Sequence, residues 1–203
     1  YKRQDQKHPT INNVSFDIKP GESVALIGST GAGKTTIVQL LNRFYEVDAG
    51  EILIDGDKIE DYKREVLKEN SAFVLQDPFI FNASIKDNVR FGKLDATDEE
   101  IIEACKSANA HDFIMGLEDG YDTVIDGEKQ ALSVGERQLV SIARAFVRDP
   151  NILLLDEATS SIDTITELKI QEALESLMKD RTSIIIAHRL NTVRAVDLSL
   201  IHI

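Results

Sequence analysis

The sequence predicts an α/β fold built on a mostly parallel sheet, with a helical lobe inserted into it. Three observations predict this. A short apolar strand, Val24–Ile27, runs into a glycine-rich loop and then a helix. A second apolar strand, Ile152-Leu-Leu-Leu155, ends in the acids Asp156 and Glu157. Strands alternate with helical segments at the spacing of crossover connections, which keep neighbouring strands parallel. At 203 residues, 42% hydrophobic and 29% charged, the chain has the size of one domain and enough apolar surface for a core.

The elements follow in order. Pro20-Gly21 is a turn ahead of the first strand. Gly28–Gly33 then holds three of the chain's 11 glycines. Thr36–Phe44 reads as a helix with Ile37, Leu40, Leu41 and Phe44 on one stripe. Glu51–Asp55 alternates like a strand and ends at Asp55-Gly56, a hairpin signal. Ser71–Leu75 is a strand stopped by Asp77-Pro78. From 84 to 148 the pattern is mostly helical, which sets this stretch apart from 1–83 and 149–197. Asp98–Ala108 opens with acids, favoured near a helix N-terminus. Ser133–Val147 opens with Ser133 and Glu136, the spacing of a capping box. Asn151–Leu155 is a strand of the fully buried type. Glu167–Lys179 is an amphipathic helix with Leu168, Leu174, Leu177 and Met178 inward, and Thr182–Ala187 is a last β-branched strand.

Composition excludes some functions. Acids outnumber Lys and Arg by 35 to 23, giving −12, whereas a general nucleic-acid binder needs a basic face. A phosphate pocket needs only one or two cations and survives that argument. The sequence has no apolar run near the roughly 18 residues of a membrane span, and its first residues have no signal-peptide core. The single Cys105 allows no internal disulfide and suits a reducing compartment. The start at Tyr1 rather than Met predicts a fragment or processed piece.

Gly28-Ser29-Thr30-Gly31-Ala32-Gly33-Lys34-Thr35 matches the phosphate-loop pattern G-x-x-x-x-G-K-[ST]. Glycines let backbone N–H groups turn around phosphate oxygens without a Cβ clash, and the helix that follows, from Thr36, points its N-terminus at the anion. Lys34 is expected at the β- and γ-phosphates and Thr35 at Mg²⁺. The acid pair closes a buried strand, whose C-terminal end faces the ligand crevice of an open α/β sheet. Asp156 is expected to hold Mg²⁺, and Glu157 to polarise the attacking water.

Between loop and acids lies Leu132-Ser133-Val134-Gly135-Glu136-Arg137-Gln138, which resembles the L-S-G-G-Q signature of ATP-binding cassette (ABC) proteins. Further matches occur in the family's order: Gln76 as the Q-loop glutamine, Ser160-Ser-Ile-Asp163 as the D-loop, and His188 as the switch histidine. The stretches NASIKDNVRFG, GYDT and IIIAHRLNTV look like exporter-type nucleotide-binding domains, usually fused behind six membrane helices. The resemblance covers nearly the whole chain. It implies a P-loop NTPase with a RecA-like core, an antiparallel β part, incomplete here, and a helical subdomain. It also implies ATP hydrolysis with Mg²⁺ and a head-to-tail pair of such domains, identical or not, with two ATPs between phosphate loop and opposite signature. Its further partners are transmembrane domains, at the cytoplasmic face of the cell membrane, and no nucleic acid.

Residue by residue, the resemblance gives Gln76 a role at Mg²⁺ or the lytic water, and His188 a role at the γ-phosphate and in orienting Glu157. Ser133 to Glu136 meet the opposite ATP, and Asp163 works across the dimer interface or caps a helix, or both. Val134 and Glu136 depart from the family pattern. A β-branched Val fits there if its φ is negative, and Glu136 avoids the γ-phosphate if it turns back into the capping box. The segment 120–132, with Asp126-Gly127-Glu128, departs from the family's T-x-V-G-E. Tyr1 stands near the family's adenine-stacking aromatic, though slightly too far from Lys34, and is otherwise a free terminus. His8, His111 and His202 are expected to be structural or exposed. Two rivals remain: a soluble ABC ATPase, and a catalytically degenerate nucleotide-binding half of a heterodimeric transporter. Finally, LSLIHI (198–203) is what CTG TCT CTT ATA CAC ATC encodes, the end sequence of a widely used sequencing transposon. Native sequence is therefore expected to end near Asp197, although the alternation lets this tail pair at a sheet edge.

Overall fold

The computed structural model describes residues 11–29, 31–126, 131–156, 162–187 and 198–202. Its centre is a five-stranded sheet in which each neighbouring pair runs parallel. The strands are β1 (Ser23–Ile27), β4 (Ser71–Val74), β7 (Ile152–Asp156), β8 (Thr182–Ile186) and β9 (Leu198–His202), in the order β4-β7-β8-β1-β9. β9 sits at the edge and pairs with β1 through a register shift between Val24 and Leu26. Edge pairing of this kind follows from the alternation of LSLIH, whatever DNA encodes it.

Side chains leave a strand on alternate faces, and the central strands feed two apolar layers. Leu153 and Leu155 of β7 and Ile185 of β8 belong to one core, with Ile142, Ile170 and Leu177. Leu154, Ile184 and Ile186 belong to the other, with Ile37 and Val38 of α1 (Lys34–Leu41). Both faces of the sheet are covered, as parallel strands require. α1 is shorter than its expected stripe. The Asn42 side chain donates to Val38 O at 2.9 Å, and Arg43 takes a left-handed φ of 52°, which ends the helix. Phe44 consequently lies outside it and is 63% exposed.

The hairpin at Asp55-Gly56 forms as expected. β2 (Leu53–Ile54) pairs antiparallel with β3 (Asp57–Lys58), and φ is 52° at Asp55 and 90° at Gly56, the two positive values of a type I′ turn. The ladder has only two residues per strand, because Leu53 finds no layer to cover it and is 51% exposed. A short helix, α2 (Arg64–Asn70), buries none of its residues and left no apolar stripe to read.

The helical stretch contains α3 (Ile85–Arg90), α4 (Asp98–Ser107), α5 (His111–Met115) and α6 (Val134–Arg148). A two-stranded antiparallel pair, β5 (Ala83–Ser84) with β6 (Val124–Ile125), was not visible in the sequence. α4 is fixed by a capping box in which Glu100 N donates to Thr97 Oγ1 and Thr97 N to Glu100 Oε2. α3 and α4 pack on α6, and α6 in turn packs on β4 and on α7 (Thr164–Met178). The buried face of α7 is Ile170, Ala173 and Leu177, spaced i, i+3, i+7, with Met178 beside it. Leu168 lies about 200° round the helix from Ile170 and is 55% exposed, so its expected inward position is corrected. Among the described residues, no helix is long and apolar enough to cross a membrane.

Candidate functional site

The loop between β1 and α1 is shaped by its glycines. Gly31 has φ 88° and Gly33, the residue before α1, φ 99°. L-residues with a Cβ rarely adopt such values. Ala32 N closes the turn onto Ser29 O at 3.1 Å. Within α1 the amide of Ile37 donates to Gly33 O, so the amides of Lys34, Thr35 and Thr36 precede the first intrahelical bond. The helix has neither a side-chain cap nor an acid in its first turn, so the positive end of its dipole is not neutralised locally. Lys34 is only 6% exposed, and its ammonium donates to the carbonyls of Gly28 at 2.7 Å and Ser29 at 3.0 Å. A buried cation held by neutral oxygens beside a helix N-terminus is a place for an anion. Ser29 and Thr35 are exposed at its mouth.

The parallel register brings the other elements to the same edge. Leu26, Ile186 and Asp156 occupy one row across β1, β8 and β7, and Ala25, Ile185, Leu155 and Val74 the row below. The C-terminal ends of four strands therefore finish level. Asp156 stands two strand spacings, about 10 Å, from β1. Gln76 follows β4 by two residues and is exposed. A hydroxyl, a carboxylate and an amide (Thr35, Asp156, Gln76) are hard oxygen donors and suit Mg²⁺. Among the described residues, no group of three or more His, Cys, Asp or Glu could by itself hold a metal. Mg²⁺ is usually held by one or two carboxylates together with substrate phosphates.

Ser133 caps α6 as the sequence predicts. Its hydroxyl accepts from Glu136 N at 3.2 Å, while Glu136 Oε2 accepts from Ser133 N at 2.8 Å. The Glu136 carboxylate is thus turned back onto its own helix. Val134 is the first helical residue and has no positive φ, so its branched side chain is accommodated. Gly135 is buried, and a Cβ built there would lie 2.3 Å from Thr166 Cγ2 of α7. Asp163 is the N-cap of α7, accepting from Thr166 N at 3.0 Å. The Thr166 amide and hydroxyl hold the Asp163 carboxyl below its ordinary pKa.

Further residues tie α6 to the segment that carries Gln76, and these the motifs did not reveal. Gln138, 4% exposed, donates through Nε2 to Gln76 O at 2.9 Å. Arg137 lies 3.8 Å from Asp77. Arg144 donates to Phe79 O at 2.6 Å, to Asn88 O at 2.7 Å and to Asn88 Oδ1 at 2.5 Å. Arg137 and Gln138 stand in the signature stretch, but nothing in that motif points to these contacts. His111 is structural, its Nδ1 2.8 Å from the Tyr121 hydroxyl. Tyr1, His8, Thr30, Gly127, Glu128, Glu157, Ser160, Ser161 and His188 lie outside the described residues.

A family model described as ABC transporter matches residues 11–160. An uncharacterized ABC transporter ATP-binding protein of Bacillus subtilis (strain 168) is 53% identical over 193 residues, 95% of this chain and 32% of its own. An ATP-dependent lipid A-core flippase of Syntrophus aciditrophicus is 50% identical, over 93% of this chain and 31% of its own. The solved structure of a bacterial Atm1-family ABC exporter with ATP bound superposes with a TM-score of 0.87 at 41% identity, covering 96% of this chain and 34% of the exporter chain. The chain spans about a third of the length of the curated relatives it matches. With the phosphate loop, the acid-terminated strand and the capped signature helix in the family's order, the chain belongs to the ABC transporter family.

Proposed function

We propose that the chain is the ATP-binding and ATP-hydrolysing domain of an ABC exporter, which closes as a dimer on two ATPs and reopens after hydrolysis to drive membrane helices. The observation that carries this reading is the buried Lys34 ammonium beside the uncapped N-terminus of α1, at the same sheet edge as Asp156. Backbone amides of 31–36 and Lys34 hold the triphosphate, with Gly28 to Thr36 as the cradle. Mg²⁺, when bound through Thr35, Asp156 and Gln76, supplies charge neutralisation at the β- and γ-phosphates. Glu157 takes the proton of the attacking water, and His188 holds the γ-phosphate side of the site. Because the chemistry needs little covalent help, positioning and electrostatics carry most of the rate. Ser133 and the first amides of α6 face the ATP of the neighbouring domain. Tyr1 stacks on the adenine.

The membrane partner has a surface to meet. Phe79 is 67% exposed next to the Gln76 segment and packs edge-on to Phe81, which stacks on Phe91. An exposed aromatic cluster beside the residue expected to sense nucleotide suits a contact with transmembrane domains of the same or a partner chain. With such a contact the domain works at the cytoplasmic face of the cell membrane. Glu157→Gln in the complete exporter tests the reading. MgATP binding is retained while steady-state turnover falls by about 10²–10⁴-fold, the contribution of a general base. Wild-type turnover in this variant removes Glu157 from the catalytic role.

A further inference from the structure

We propose that Gln138 is a positioning residue, whose side-chain amide fixes the Gln76 backbone and so sets where the Gln76 side chain can meet Mg²⁺. This rests on the role of Gln76 proposed above. Gln138 belongs to α6 and is 4% exposed, and its Nε2 donates to Gln76 O at 2.9 Å. A carbonyl can only accept, so the nitrogen end of the Gln138 amide is the one that faces it. Gln76 itself is exposed and stands two residues beyond Val74, the last rung of the β4–β7 ladder.

Backbone geometry explains how a bond to a carbonyl steers a side chain. A peptide unit is planar, so holding Gln76 O orients the whole plane between Gln76 and Asp77. On the other side, β4 sets the direction of the chain up to Val74. The Cα of Gln76 lies between these two supports, and its Cβ points where they leave it. The rest of the segment is held in the same manner. Arg144 donates to Phe79 O at 2.6 Å, and Asn88 Nδ2 donates to Phe81 O at 3.0 Å. Of these three supports, Gln138 is the one that grips the residue expected at the metal. It acts on position more than on folding, because Gln76 is exposed and water can take over its carbonyl when the amide is gone. α6 starts from the Ser133 cap, so the helix that presents the signature also carries Gln76.

The test uses the complete exporter carrying Glu157→Gln, so that binding is read without turnover. Calorimetry gives the ATP affinity with Mg²⁺ and with EDTA, and their ratio is the gain that the metal brings. Gln138→Met keeps the length of the side chain and loses the donor. It is expected to lower the metal gain about tenfold, since removing the partner that orients a metal ligand costs about 10–100-fold in metal affinity. The affinity in EDTA stays within about twofold, because the phosphate loop is untouched. Gln76→Ala lowers the gain at least as far, and adding Gln138→Met to it brings no further loss, because both act through one side chain. If Gln138→Met does not accumulate as folded protein, Gln138→Asn, one methylene too short to reach the carbonyl, is read in its place with the same expectation. The inference is overturned if Gln138→Met keeps the full gain while Gln76→Ala loses it. It is also overturned if Gln138→Met weakens ATP equally with Mg²⁺ and with EDTA, as a general packing defect would, or if its loss multiplies with that of Gln76→Ala. A full gain in Gln76→Ala, or none in the parent, instead refutes the placing of Gln76 at the metal, and the role of Gln138 with it.

Discussion

Replacing Arg144 by Met should cost about 3 kcal/mol of folding stability, although Arg144 is in none of the nucleotide motifs. The guanidinium spans two elements from α6. It holds Asn88 O and Asn88 Oδ1 in α3, holds Phe79 O in the segment after Gln76, and lies 5.4 Å above the centre of the Phe81 ring. Burial pulls it down to about 10, still charged at neutral pH. Asn88 is fully buried, and its carbonyl lies in the last turn of α3, where helix carbonyls lack intrahelical partners. Met fills much of the stem volume but offers no donor. Hydrogen bonds from a charged donor are worth about 1.5–3 kcal/mol each, and an orphaned buried carbonyl costs about 1–3 kcal/mol. The three bonds share one charge whose own desolvation offsets part of the gain, so the sum is well below three separate contributions. For a domain near 200 residues, about 3 kcal/mol corresponds to a Tm drop of roughly 6–12 °C. Circular dichroism melts of the chain and of the variant read it directly. Arg144→Lys, which can reach one acceptor, should lose about half as much. A drop below about 2 °C for Arg144→Met would refute the view that this guanidinium fastens α6 to α3.

Two other measurements probe local features. Burial pushes the Cys105 thiol from the usual 9.0 up to about 12, against a partial opposing pull from a Tyr121 hydrogen bond. The folded pKa is raised, so the associated stability is fully present below about pH 9 and is lost as pH rises toward 12, when the unfolded thiol ionises and the folded one does not. Denaturant midpoints should fall across that window, and a thiol reagent at pH 8 should react promptly only after unfolding. Flat midpoints from pH 8 to 11 would contradict this. At the signature, Glu136→Gln keeps the reciprocal cap and should leave Tm nearly unchanged, whereas Glu136→Ala should cost about 1 kcal/mol. Equal melting of the two variants would mean that the cap seen between Ser133 and Glu136 adds nothing in solution.

Motifs and apolar patterns made most of the sheet legible, and with it the positions of Lys34, Asp156 and Ser133 in the fold. Asn151–Leu155 and Thr182–Ala187 read as strands because short leucine-rich and β-branched apolar runs suit strands buried on both faces, and the strands form at Ile152–Asp156 and Thr182–Ile186. Lys34, Asp156 and Ser133 were legible because anion and metal chemistry restrict residue type and spacing at once. Asp55-Gly56 was legible because only a turn with two positive φ values favours that pair. Phe44 misses because α1 ends at Leu41, with Arg43 in a left-handed conformation, and Leu168 misses because Ile170, Ala173 and Leu177 set the buried face of α7. α2, β5 and β6 are too short, with too little burial, for periodicity to register. Gln138 and Arg144 escaped because their partners, 62 residues away for one and 56 and 65 for the other, are backbone and amide oxygens rather than patterns.

The central claim is that the loop around Lys34 holds a nucleotide triphosphate. Calorimetric titration of MgATP into the chain and into Lys34→Ala tests it most directly. Lys34 supplies the only side-chain cation in the loop motif, and a charge-assisted bond is worth about 1.5–3 kcal/mol. The account predicts saturable binding by the chain and about 10–100-fold weaker binding by Lys34→Ala, with far-UV spectra matching. Equal MgATP affinity in the two proteins, or no binding by a folded chain, would contradict it.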